Sequence, residues 1–367
     1  MESNLDKKGA LAEICSNSLK CLFLRKITIF KFFVSFKLRF TKCLYIFFNM
    51  NALDKIFAAL ALAVGTSVAA GSWSFSEETD AAYYPSSEYK AGGDHFSKID
   101  GPYDAIEALT RFDATYAIPT PLGEHELLKD ADVEIMGSFE LSPVSVRSML
   151  EIDFTPVPFL VFGAGTSVGT GWNFWIVEGL SKYDFDAEDC EGLTPFAHYY
   201  YDFWLAATFQ FDTGALIEGD WTHVVFVASY QWIYSAMTGV DDGEVWLWQD
   251  SPLRANGWGY DVVGLLGYQM PMTLDMVGVM AEFSGHYDPD DYGAIANSVD
   301  GNFMTVDLSL LLSFKINEKN SLKTLFTFER NRSYAEPHED VEEEPLLTQT
   351  GAEWSFYAVY LAWTHEF

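Results

Sequence analysis

One stretch near the C-terminus sorts itself by parity. Met304, Val306, Leu308, Leu310, Leu312, Phe314 and Ile316 occupy the even positions, and Thr305, Asp307, Ser309, Ser313 and Lys315 most of the odd ones. A helix would scatter the apolar set around its axis. A β-strand puts successive side chains on opposite faces, so this pattern makes one wholly apolar face and one polar face. A segment of this kind separates two different solvents.

The pattern recurs. Val144, Val146, Leu150, Ile152 and Phe154 alternate with Ser145, Arg147, Glu151, Asp153 and Thr155. Residues 132–141 set Val133, Ile135, Phe139 and Leu141 against Asp132, Glu134, Ser138 and Glu140. Residues 199–212 set Tyr199, Tyr201, Phe203, Leu205, Phe209 and Phe211 against Asp202, Thr208, Gln210 and Asp212. Residues 222–234 set Val224, Phe226, Tyr230 and Trp232 against His223, Ser229 and Gln231. Weaker strands are expected at 105–118, 158–171, 258–270, 273–286 and 320–334. In 273–286 Leu274, Met276 and Met280 compete with Val277, Val279 and Phe283, and the outward face stays open. A half-buried soluble sheet would also alternate. These apolar faces are longer, approaching the roughly 9–11-residue strands that cross a bilayer, and aromatics such as Trp221, Trp232, Trp258 and Tyr268 gather at strand ends.

Composition narrows the class. The chain has 367 residues, 49% of them hydrophobic and 16% aromatic, with a formal net charge of −31. That aromatic content excludes wholesale disorder. The acidity argues against nucleic-acid binding, which a basic surface drives. Four cysteines are too few for a disulfide scaffold. No uncharged apolar run reaches the roughly 18 residues of a spanning helix.

The charge is uneven. Residues 1–70 hold ten basic and four acidic residues, which leaves 12 basic and 49 acidic ones in 71–367, a net of −37. Residues 50–70 read as a secretory signal peptide: Lys55, the apolar stretch Ile56 to Val64, then Val68 and Ala70 before Gly71. Residues 1–49 then precede a start at Met50 and are expected to be a non-native upstream extension. A basic membrane-surface segment is the rival reading.

In 353–367, Tyr357, Val359, Leu361, Trp363 and Phe367 fall on one face, with Phe367 last. This resembles the C-terminal strand of bacterial outer-membrane β-barrel proteins, which ends in an aromatic residue. His365 stands where that strand is usually apolar or aromatic. The resemblance implies an all-β fold, a transmembrane antiparallel β-barrel in 71–367, placed in the bacterial outer membrane. It implies the lipid bilayer and the barrel-assembly machinery as partners, with those five residues as the assembly signal. About twelve strands are expected, the twelfth in 71–84, with ten as the alternative, since such barrels usually have an even number. If Phe367 ends in the periplasm, the loops 333–352, 286–302, 235–257 and 171–196 are external. The turns near 155–158, 212–220, 269–273 and 317–320 are periplasmic, and Ser142–Pro143 is an unusually short external turn.

The inward positions of the alternation include Glu107, Arg111, Asp113, Asp132, Glu134, Glu140, Arg147, Glu151, Asp153, Asp202, Asp212, Asp261, Asp307 and Lys315. Nine of them, Arg111, Asp113, Glu134, Arg147, Glu151, Asp153, Asp202, Asp261 and Asp307, are the candidate pore residues. The expected function is a passive channel for small polar or cationic solutes. The competing readings are a lumen plugged by internal charge pairs, with Arg111 and Arg147 facing Asp113, Glu134 or Glu151, and a structural or adhesion barrel acting through acidic loops. A barrel enzyme is disfavoured. His223 and Ser229 are six residues apart, roughly 20 Å along a strand, and do not pair. The loop His286–Asp291 carries carboxylates without calcium-loop spacing, and the run 336–344 reads as solvated. The glycines between Gly163 and Gly171 lack the lysine of a phosphate loop and suit bending or close packing against lumen side chains. No cofactor and no metal are expected, no nucleic acid is expected as a partner, and the oligomeric state stays open.

Overall fold

The computed structural model describes residues 71–367 apart from 89, 103–104, 175–178, 185–188, 242, 250–253, 296–298 and 336–347. The upstream segment 1–49 and the signal-like segment 50–70 lie outside the described residues.

Twelve long antiparallel strands follow one another in chain order: β1 (Ser72–Tyr84), β2 (Ala105–Pro119), β3 (Asp132–Leu141), β4 (Ser145–Val157), β5 (Leu160–Gly171), β6 (Tyr200–Asp212), β7 (His223–Met237), β8 (Gly257–Gln269), β9 (Leu274–His286), β10 (Thr305–Lys315), β11 (Asn320–Tyr334) and β12 (Gln349–Glu366). Each pairs with the next, and β1 pairs back onto β12 from Ser76↔Glu366 to Tyr83↔Val359, so the sheet closes into a barrel. Closure removes the unpaired edges that an open sheet of this length would present. Twelve strands are found and the ten-strand alternative falls. The short alternation after Gly71 is the first strand.

Above Val359 the β1 side of β12 is taken over by His95–Phe96, which pairs with Glu353 and Trp354 in parallel. Both ends of the described chain meet at one rim, where the Phe367 amide donates to the Phe75 carbonyl at 3.1 Å. That rim carries the short turns 158–159, 270–273 and 316–319, and the opposite rim the long loops 85–104, 172–199, 238–256 and 287–304. Three connections break the asymmetry: 120–131 and 213–222 are long on the short-turn rim, and 142–144 is tight on the long-loop rim.

The parity of the sequence becomes an inside and an outside. Phe139, Leu150, Phe162, Phe203, Leu205, Phe226, Leu266, Val279, Leu308, Leu310 and Leu361 are exposed on the outer face. A soluble monomer rarely exposes so continuous an apolar surface. Around a closed barrel it is the surface that lipid covers. Val279 settles the face of β9: odd residues point outward, and Met276, Met280 and Glu282 point inward. Aromatic rings mark both rims of this band. Trp232 stacks on Trp258 at 4.0 Å beside Tyr234 near the long loops. Trp73 lies against Tyr116 at 4.8 Å, and Trp363 stacks on His365, near the short turns.

The long loops are not simply solvated. Leu180–Asp184 pairs with Asp189–Gly192 and with Val245–Trp248, which also pairs with Arg254–Ala255. This small sheet joins the loops after β5 and β7. Its core holds Leu180, Leu193, Val240, Trp246 and Trp248 and continues into Tyr200 and Met237 of the barrel wall. A second cluster, Val245, Ala255, Tyr292 and Val299, ties in the loop after β9. Arg332 of β11 holds that loop, donating from Nε to the Val299 carbonyl at 2.6 Å with its guanidinium over the Phe303 ring. The acidity of these loops hid an apolar minority large enough to form a cap.

Candidate functional site: the barrel interior

All nine candidate pore residues lie on the inward face, on the parity opposite the exposed apolar residues of their strands. The inward face groups them by register.

Near the long-loop rim one inward row runs Glu78, Arg111, Glu140, Arg147, Gly169, Tyr200. Arg111 donates to Glu78 at 2.5 Å and lies 3.5 Å from Asp113. Arg147 donates from Nη2 to Asp202 Oδ2 at 2.6 Å and from Nε to Ser167 Oγ at 2.8 Å. The Tyr200 hydroxyl donates to the same Asp202 oxygen at 2.7 Å. Of the expected arginine partners Asp113 is found. Glu134 and Glu151 are not, and Glu78 and Asp202 take their place. These two arginines are spoken for and neutralise only their immediate neighbours.

Among the described residues Glu134, Asp153 and Asp261 have no such ion pair, and the inward Lys323 nearer the short turns lies in register with Ser313 and Ala362 instead. Glu134 and Asp153 are register partners, so two carboxylates face each other across β3 and β4. Like charges directly opposite on a sheet destabilise it. Glu151 and Asp153 of β4 and Asp261 of β8 line a cavity of about 300 Å³ with Gly163, Ala206, Thr208, Ser229, Gln231 and Val263. The cavity exists because β5 and β6 place small residues between these acids. The glycines of β5 work as close-packing positions: a Cβ on Gly165 would lie 2.1 Å from the Trp204 ring, and one on Gly169 would lie 2.6 Å from the Trp248 ring. Trp204 is held there by an Nε1 hydrogen bond to Glu151 at 3.4 Å.

A third acidic group escaped the sequence reading. Glu282, Asp307 and Glu329 are register partners across β9, β10 and β11 and all point inward. Of these only Asp307 was legible. Glu282 sits on the strand whose outward face stayed open, and Glu329 on a strand whose alternation is weak. The signal that finds them is the register of Asp307 with its two neighbours.

Beside this row lie Tyr84, Tyr357 and Tyr360. Tyr357 was expected on the outward face with Val359, Leu361 and Trp363. A bulge between the β11 pairs Thr327/Phe328 leaves Tyr357 as the extra residue of β12 and turns it inward. Its ring packs edge-on against Tyr84 at 5.2 Å. The Tyr84 hydroxyl donates to Glu107 at 2.7 Å. Leu361 and Trp363 stay on the exposed outer face and Phe367 is exposed at the rim.

Two imidazoles are engaged by carboxylates away from Ser229. His223 bonds Asp212 at 2.7 Å, His286 bonds Asp291 at 2.7 Å, and Ser229 bonds Thr208. His223 and Ser229 therefore have separate partners.

No family model matches the sequence, and no curated protein matches it. Solved structures of similar form include an outer-membrane channel from Pseudomonas putida F1, 10% identical, with a TM-score of 0.42 over 80% of this chain and 95% of that one. The outer-membrane channel DcaP of Acinetobacter baumannii is 12% identical, with a TM-score of 0.34 over 81% and 97% of the two chains. A KdgM porin is 8% identical, with a TM-score of 0.33 over 79% and 99%. At such distances function has to come from this chain's own geometry. That geometry, closed, apolar outside and polar inside, is a transmembrane β-barrel of the outer-membrane class.

Proposed function

We propose that residues 71–367 form a passive outer-membrane channel for small polar or cationic solutes, released from residues 50–70 by signal cleavage. The observation that carries this reading is the imbalance of the inward face. Arg111 and Arg147 are each engaged by carboxylates, while among the described residues no cation lies within ion-pair distance of Glu134, Asp153, Asp261, Glu282, Asp307 or Glu329. A low-dielectric wall around fixed carboxylates attracts cations and repels anions. The five residues from Tyr357 to Phe367 serve on this reading as the segment read by the assembly machinery, with Tyr357 contributing from the inward side.

The test is conductance of the purified chain in a planar bilayer under a KCl gradient. A reversal potential on the cation-selective side is expected. Absence of current at several hundred millivolts would remove the channel reading and leave a structural barrel.

A further inference from the structure

Resting on the channel reading, we infer that the row Glu282–Asp307–Glu329, with the tyrosines of the β12 bulge, is a binding site for a small organic cation bearing an ammonium or guanidinium group.

Three carboxylates in one register row is an arrangement a sheet avoids unless something neutralises it. Arg111 and Arg147 lie on other strands, committed to Glu78, Asp113 and Asp202. Two observations in the row point beyond charge. Glu329 is only 5% exposed, and among the described residues no hydrogen bond or ion pair reaches its side chain. Asp307 Oδ1 is buried and also lacks a hydrogen-bond partner. A buried carboxylate oxygen is ordinarily satisfied. Asp307 Oδ1 lacks a donor here, and a cation that donates hydrogen bonds supplies charge and donors together.

The geometry also selects the kind of cation. Among the described residues no three acidic, histidine or cysteine side chains converge closely enough to hold a metal ion. The carboxylates are spread along three strands instead. A guanidinium or alkylammonium group spans such a row with several N–H donors. The adjoining wall is aromatic: Tyr357 follows Ser355, the register partner of Glu329, by two residues, and packs on Tyr84. Tyrosine rings beside an acidic row favour an organic cation over a hydrated alkali ion. The same inward row continues through Val263, Ser229 and Thr208, three residues that line the 300 Å³ cavity. That continuity gives the bound group a polar path along the wall.

The experiment separates this site from the channel reading. Agmatine, which carries a guanidinium and an ammonium, is titrated calorimetrically into the detergent-solubilised chain, which requires no conductance. Saturable binding is expected, weakened at least tenfold in Glu329→Gln and in Asp307→Asn and restored in Glu329→Asp. Tyr357→Leu should weaken it less. Glu282→Gln provides a second isosteric variant should either of the first two fail to fold. Absence of saturable heat in the wild-type chain, or equal affinity in the folded variants, would overturn the site. In the bilayer, agmatine should block potassium current in the wild type at lower concentration than in the variants. A chain that binds agmatine without conducting would sink the channel reading and leave the site standing.

Discussion

Arg147 reaches two strands away to Asp202. The bond leaves β4, passes β5 and ends on β6 at 2.6 Å, on a carboxylate whose side chain is fully buried. The second oxygen, Oδ1, is buried without a hydrogen-bond partner. Among the described residues the Asp202 carboxylate is held by Arg147 and Tyr200.

Removing one member should cost more than removing both. Arg147→Met strands a buried charge, a loss on the order of 3–5 kcal/mol. Arg147→Met with Asp202→Leu should recover most of it. Urea unfolding of the chain refolded into vesicles measures both. A double variant no more stable than the single one would show that the pair contributes by something other than mutual neutralisation.

An inward glycine of β5 and an outward glycine of β3 offer a cleaner contrast. Gly165→Ala drives a methyl into the Trp204 ring and should cost about 1–3 kcal/mol by overpacking. Gly137→Ala, where a Cβ meets nothing within 4 Å, should leave stability unchanged or raise it by roughly 0.5–1 kcal/mol. Combining Gly165→Ala with Trp204→Leu should restore part of the loss. Equal destabilisation at Gly165 and Gly137 would mean that close packing is not what reserves position 165 for glycine.

How much of this was readable depended on what each position faces. Strands β4, β6 and β10 were legible because lipid and lumen are opposite solvents and most of their positions alternate, with Met149 and Leu311 among the exceptions inside. Strand β9 was not, because Met276 and Met280 are apolar residues inside the lumen and blur the parity. Tyr357 was assigned to the wrong face, since a bulge inserts one residue and resets the face of everything before it, and nothing local in 353–367 marks the insertion. The glycines of 163–171 were read as bending or close-packing positions, and at Gly165 and Gly169 it is the Trp204 and Trp248 rings that occupy the space. The cap was missed because its apolar residues are few and its pairings join segments some sixty residues apart, Ser181 with Leu247 for example. Long-range pairings of that kind leave no local pattern.

Ionic strength gives a further check on the lumen charges. Screening shortens from about 10 Å at 0.1 M salt to about 3 Å at 1 M. Cation selectivity should therefore be strong in dilute KCl and decline in concentrated KCl. Asp153→Asn with Asp261→Asn, on the two sides of the cavity, should lower the dilute-salt selectivity toward the concentrated-salt value. Selectivity independent of salt would point to steric sieving rather than to the carboxylates.

The cap gives the last prediction. Trp248 lies over Gly169 and stacks on Tyr200 at 5.0 Å. The next residue, Gln249, reaches Ser142 Oγ at 3.3 Å and also bonds Ser145, so the loop after β7 is tied across to the tight β3–β4 turn. Local opening of such a unit is governed by its own contacts rather than by the global stability of the barrel. Trp248→Ala removes a buried ring, a loss on the order of 3–5 kcal/mol, and should raise protease cleavage within 238–256 by about a hundredfold or more. Gln249→Ala removes neutral hydrogen bonds, about 1 kcal/mol, and should raise it only several-fold. The barrel itself should stay resistant in both, as judged by its mobility in unheated gels. In the bilayer, Trp248→Ala should make current fluctuations more frequent, because the cap is anchored beside Arg147 and Asp202 at the long-loop rim. Unchanged cleavage in Trp248→Ala would show that the loop after β9, through Val299 and Arg332, holds the cap without help from the β5 wall.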